Sequence, residues 1–184
     1  QNFFNEMLCY FWDGNYVKVS ELGKKHKPTG QMRIVDTTRT LYEGLASLIL
    51  ARHTGQASLR KKGEDALEKH LKWKKLSKWN FGHSAILLQA ELHYLNGNLE
   101  SAVTSYKAAI ASAHEHKFIQ VESLAHELYG NFCMENGMTK EGELQYSMAL
   151  HKYKQYGAMK KVEKLKIFMS TIDSAKPSMK QASG

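Results

Sequence analysis

A chain of 184 residues with 26 Lys and Arg against 18 Asp and Glu carries a net charge of +8 with its histidines neutral, and it is long enough to bury one continuous core. Two cysteines without metal-ligand spacing exclude a disulfide framework, and the lack of any run of 18 apolar residues excludes a membrane-spanning helix. Only two prolines occur and no long stretch alternates as strands do, so the sequence predicts an all-α chain.

The first apolar residues, Phe3, Phe4, Met7, Leu8, Phe11 and Trp12, recur at helical spacing and predict a helix from Asn2 to Trp12 that closes at Asp13-Gly14. A second helix is predicted over Tyr16 to Lys25. Lys27-Pro28-Thr29-Gly30 reads as a connector, because proline and glycine so close together interrupt a helix. A long helix follows from about Gln31 to Thr54, with Ile34, Leu41, Leu45, Leu48 and Ile49 on its buried side, and ends at Gly55. Its partner, Ser58 to Leu76, uses Leu59, Ala66, Leu71 and Trp73 as apolar contacts. Ser77-Lys78-Trp79-Asn80 makes the next turn.

The positive charge is concentrated in the helix ending at Leu76 and just beyond it. Arg60, Lys61, Lys62, Lys69, Lys72, Lys74, Lys75 and Lys78 stand against Glu64, Asp65 and Glu68. The plain interpretation is a solvated outer face with partial i,i+4 compensation. The sharper one makes Arg60, Lys61, Lys69, Lys72 and Lys75 a basic docking face for an acidic protein. Nucleic acid ranks last, since the lysines have no aromatic platform or recognition motif beside them.

From Ile86 to Leu150 one helical hairpin is written twice, 40 residues apart. The first copy carries Ala90, Tyr94, Gly97, Ala102, Tyr106, Ala109 and Ile110; the second carries Gly130, Met134, Gly137, Gly142, Tyr146, Ala149 and Leu150. Gly97 and Gly137 fit the position past a helix end, where a left-handed backbone costs a residue with a Cβ about 1 kcal/mol or more. Ala90 or Gly130 on one helix is expected to face Ala102 or Gly142 on the next, with Tyr106 or Tyr146 filling the adjoining groove. Glycines 14, 55, 97 and 137 are spaced by 41, 42 and 40 residues, the signature of stacked helix pairs that share one core. The expected fold is a right-handed α-solenoid of about four antiparallel pairs, with weaker repeats over 1–76 and clear ones over 80–156. A capping helix over 159–172 places Val162, Leu165, Phe168 and Met169 inward, and the tail 173–184 is polar and loosely held.

No catalytic constellation emerges, and no metal site or cofactor is expected. Gly137-x-x-x-x-Gly142 imitates a phosphate loop, but Glu143-Leu144 follows where lysine and serine or threonine are needed. His114 and His116 fall on different helix faces. His126 and Cys133 share a face but sit about 10 Å apart along the axis, too far for a nucleophile and its base.

The small, small, aromatic, alanine pattern at Ala90, Ala102, Tyr106 and Ala109, repeated at Gly130, Gly142, Tyr146 and Ala149, resembles the tetratricopeptide repeat. Trp79-Asn80-Phe81, Leu88-x-Ala90-Glu91, Ala125-His126-Glu127-Leu128 with Phe132, and Tyr156-Gly157-Ala158 with Lys161, Val162 and Leu165 further resemble the helical region following the ATPase module in large multidomain predicted ATPases, including sensor-kinase fusions of MalT-type layout. That resemblance implies a sensor or scaffold arm; the cytoplasm is expected from the cysteine usage, and a lack of enzymatic activity from the missing catalytic constellation. The resemblance also implies an inner surface lined by the first helix of each pair: Tyr42, Arg52 and His53, then Leu87, Glu91 and Tyr94, then Glu127, Asn131 and Met134. Its mixed lining suits a protein or peptide. Gln1 is not a natural start, so a fragment of a longer protein is expected, with catalytic modules elsewhere in the polypeptide. Two alternatives from other classes stand beside the interaction module: a regulatory arm of a signalling ATPase, kinase or cyclase, and a structural subunit that docks through its basic helix.

Overall fold

The computed structural model describes residues 2–25 and 34–175. These form nine helices and no strand: α1 (Asn2–Trp12), α2 (Tyr16–Lys25), α3 (Ile34–Thr54), α4 (Ala57–Leu76), α5 (Lys78–Leu95), α6 (Leu99–Glu115), α7 (Ile119–Glu135), α8 (Thr139–Tyr156) and α9 (Met159–Ala175). The connector 27–30, the predicted helix start at Gln31, the side chain of Ile34 and the tail beyond Ala175 lie outside the described residues. No helix among those described is long and apolar enough to cross a membrane.

Two predicted boundaries move. Ser77 alone makes the turn before α5, because its hydroxyl accepts from the Asn80 amide at 3.4 Å and caps the helix, so Lys78, Trp79 and Asn80 form the first helical turn. The last helix passes Ile172 and runs to Ala175. The four predicted turn glycines all take the left-handed backbone, Gly97 and Gly137 at φ 74° and 75°. At both, the glycine amide bonds back to the carbonyl three residues earlier, and the amide after it reaches the carbonyl five residues earlier, closing the helix end. The junction between α6 and α7 has no glycine, and Lys117 takes φ 63° there instead.

The chain divides into two compact units, Gln1–Val121 and Glu122–Gly184. In the first, α1 packs on α2, α3 on α4 and α5 on α6, joined by turns too short for anything but antiparallel neighbours. Alternate helices α1, α3 and α5 also touch in sequence order. Leu41, Leu45, Leu48 and Ile49 are buried as predicted, and so are Ala102 and Tyr106. Leu71 is not: the buried stripe of α4 runs through Gly63, Ala66, Leu67 and His70, one residue away. Close approach rests on missing side chains. A Cβ on Gly44 would stand 2.5 Å from the Ala66 Cβ and 2.9 Å from Leu88 Cδ2, and one on Gly63 would overlap Leu48.

In the second unit, Tyr146, Ala149, Tyr153, Val162 and Leu165 form the core, with Met134, Leu150 and Met169 packed against it. Phe168, expected inward, is 45% exposed and meets Tyr146 only edge-on, with ring centroids 5.5 Å apart. Val162, Leu165 and Met169 complete a three- and four-residue stripe, which leaves Phe168 at its margin. A Cβ on Gly130 would stand 2.7 Å from the Tyr146 ring, and one on Gly142 would stand 2.6 Å from Met134 Sδ and 3.3 Å from the Gly130 carbonyl oxygen.

These two glycines separate a rigid neighbour from a pliable one. Gly130→Ala is expected to lose about 1–3 kcal/mol because the tyrosine ring cannot swing aside, despite the roughly 1 kcal/mol gained in helix propensity. Gly142→Ala should lose less, since the Met134 thioether can rotate away. Urea denaturation of the two variants measures the difference, and equal losses would contradict the packing described.

Candidate functional site

The first helix of each clear hairpin carries a polar acceptor that the hairpin's own tyrosine reaches. In the first unit the Tyr106 hydroxyl on α6 donates to Glu91 Oε1 on α5 at 2.7 Å. Arg52, in the last turn of α3, donates from Nη1 to Glu91 Oε2 at 2.9 Å, and its guanidinium lies 4.0 Å above the centre of the Tyr94 ring. Glu91 is only 2% exposed. Burial first, then the Glu91 charge and hydrogen bond, push the Tyr106 phenol well above its ordinary range, so it remains a donor at any physiological pH.

The second unit repeats the bond with a neutral acceptor. Tyr146 donates to Asn131 Oδ1 at 2.8 Å, across the same 15-residue separation as Tyr106 and Glu91. Beside it, Glu127 accepts from the Tyr153 hydroxyl at 2.7 Å and from Lys161 Nζ at 2.5 Å. His126 shares a 2.7 Å contact with Gln145 Oε1, and Glu122 pairs with Lys152 at 2.8 Å.

The predicted inner-surface residues therefore divide. Arg52, Glu91 and Tyr94 come together as one cluster. Glu127, Asn131 and Met134 serve contacts within their own unit, Met134 against Gly142. Tyr42 and Leu87 are corrections: Leu87 is fully buried, and Tyr42 is buried against the Phe11 ring with centroids 4.8 Å apart. Each sits on the core stripe of its helix, so neither can line a surface. His53 is exposed.

On α4, Arg60 pairs with Glu64 at 2.9 Å, Lys61 with Asp65 at 2.8 Å and Lys72 with Glu68 at 2.7 Å. These are the i,i+4 rows expected of a solvated face, where screening by solvent leaves an ion pair little weight in stability. Arg60 also donates to Asn96 Oδ1 at 2.8 Å. Lys69 and Lys75 are exposed. Lys69 lies with Lys62 near Glu43, a grouping that sequence reading missed, although charged residues at Arg39 and Glu43, on either side of the apolar Leu41 and Tyr42 in α3, were a signal for it.

Two histidines were also missed. His70 is 1% exposed and meets the edge of Trp73, and His83 is 2% exposed against Phe118 with ring centroids 4.2 Å apart. Burial lowers both to about 4; the Thr37 backbone offsets part of this at His70, and the neighbouring His116 adds to it at His83. Among the described residues no group of three His, Cys, Asp or Glu could hold a metal ion. Cys9, expected on an apolar stripe, is exposed, while Cys133 is buried. No family model matches the chain, and no curated protein or solved structure matches it.

Two measurements check this arrangement. Arg52→Met leaves Glu91 buried beside one phenol and is expected to cost about 3–5 kcal/mol, against about 1–3 kcal/mol for Tyr106→Phe; denaturant midpoints of the two variants give the order. The histidine pair sets a pH response. Between the ordinary value near 6.5 and the folded value near 4, the unfolded chain binds protons that the folded chain refuses, so stability is full at neutral pH and falls as pH drops through this window. A loss on the order of 2–3 kcal/mol for each histidine is expected. Melting temperatures from about pH 7 to about pH 4.5 should show the fall, and His70→Gln should flatten part of it.

Proposed function

We propose that the chain is a non-enzymatic interaction module of the tetratricopeptide type, a right-handed stack of helix pairs that holds a protein or peptide. The observation that carries this reading is the tyrosine-to-acceptor bond made twice across 15 residues, in two hairpins whose turns share one glycine geometry. A hairpin repeated down to its hydrogen bonds supports a repeat architecture, and such architectures work through extended side-chain surfaces. The contacts of α1 with α3 and of α3 with α5 support the same stacking. On this reading the partner meets the exposed rim around the Arg52 and Tyr94 pair, with His53 beside it. The module works in the cytoplasm, as an arm of a signalling ATPase or kinase of MalT-type layout. The ion pairs along α4 favour a solvated role for that helix over a docking one.

The test begins with affinity capture by the full chain from an extract of its source organism, followed by binding constants for the purified partner. His53→Ala with Tyr94→Ala should weaken binding by roughly tenfold or more. Lys61→Glu with Lys72→Glu should leave it unchanged, and raised salt should matter little, since salt screens exposed charges such as those of α4 and the rim contact does not rest on them. Binding that falls only with the lysine variants would transfer the role to α4, and binding unmoved by either pair would end the proposal.

A further inference from the structure

A cleft of about 270 Å³ opens in the first unit where α2, α3 and α4 meet. Its floor is made of small residues, Gly23, Gly44 and Ala66, and its walls carry Lys24, Arg39, Glu43, Lys62 and Lys69. The two α4 lysines are seven residues apart, so they stand one above the other on one helix face. Arg39 is buried, and its Nε lies 3.5 Å from Glu43 Oε1, a distance of ion-pair contact too long for a good hydrogen bond. Asp65, the other carboxylate on the wall, is held by Lys61 at 2.8 Å. Four cations therefore stand around one carboxylate whose Oε1 accepts no hydrogen bond among the described residues.

Glu43 is placed deliberately. Its carboxyl group occupies the space a side chain at Gly23 would need, with Cδ and Oε1 each 2.8 Å from where that Cβ would stand. Burial raises its pKa above the ordinary carboxylate range, and Arg39, Lys69 and Lys62 pull the other way. Among the described residues Oε1 accepts no hydrogen bond although it is shielded from water. A buried acceptor left in that state is destabilising, and a donor brought in from outside would relieve it.

We propose that this cleft binds a small phosphorylated hydroxy compound, with Lys24, Lys62 and Lys69 holding the phosphate and Glu43 accepting a hydrogen bond from a hydroxyl. The cation excess selects a dianion, which lysine recognises as a point charge. The orphaned acceptor selects a ligand that carries a donor as well. Volume completes the argument: the space sits at the lower end of small-ligand pockets and is too narrow for a helix. The site is separate from the partner-binding rim and does not depend on it.

Isothermal titration of the full chain with glucose 6-phosphate, inorganic phosphate and glucose as probes tests the assignment. Glucose 6-phosphate should bind, inorganic phosphate should bind roughly tenfold more weakly, and glucose should not register at about 5 mM. Lys62→Glu with Lys69→Glu, both exposed positions, should weaken glucose 6-phosphate by at least about tenfold while helical content stays unchanged. Glu43→Met, which keeps the length of the side chain and removes the acceptor, should abolish the advantage of glucose 6-phosphate over inorganic phosphate measured in the same variant. No binding by either phosphate, equal binding by both, or binding that survives the paired lysine reversal would each overturn the proposal.

Discussion

A side chain of one helix can press onto the backbone of the next only where no Cβ stands in its way, and this chain meets that requirement repeatedly. Gly44 admits Ala66 and Leu88, Gly63 admits Leu48, and Gly130 admits the Tyr146 ring. Each such glycine costs about 1 kcal/mol of helix propensity. Dispersion and burial at the contact offset that cost, because fully buried leucines and tyrosines fill the remaining space to crystal-like density. Turn geometry, pairing and the polar clusters are all arranged around these close contacts.

Close packing also explains why charged groups end up inside. Glu91 can be nearly free of solvent because Arg52 and Tyr106 converge on it from two other helices, and Tyr94 covers the guanidinium from below. Glu127 is treated alike by Tyr153 and Lys161. These groups hold helices in register instead of waiting on a surface, which is why several positions read from the sequence as partner-binding proved to be internal.

Much of the architecture was legible in the sequence, and the reasons are specific. Gly14, Gly55, Gly97 and Gly137 stood out because a left-handed turn admits few residues with a Cβ. The contact between Gly130 and Gly142 was legible because mid-helix glycine has a cost that needs a cause. Gly44 and Gly63 escaped notice because the weaker repeats use another register: Gly63 follows its turn glycine by eight residues, whereas Ala102 and Gly142 follow theirs by five. The site was less legible. A face can be assigned from helical spacing, but the pairing of Arg52 with Glu91 spans 39 residues and depends on which helices touch. Leu71 and Phe168 show the same limit, since one residue of rotation carries a side chain from core to margin.

The two equivalent acceptors differ in charge, Glu91 in one hairpin and Asn131 in the other. Hairpins built on one plan in a single polypeptide invite the wrong segments to associate while the chain is still folding. Here the exchange is penalised. Should Glu91 dock in the half-buried slot that suits Asn131, it would lose its guanidinium and be left an anion without its cation. An amide standing where the carboxylate belongs would strand Arg52 in the same way. The difference in charge thus makes each tyrosine's own acceptor the less costly one for it to meet.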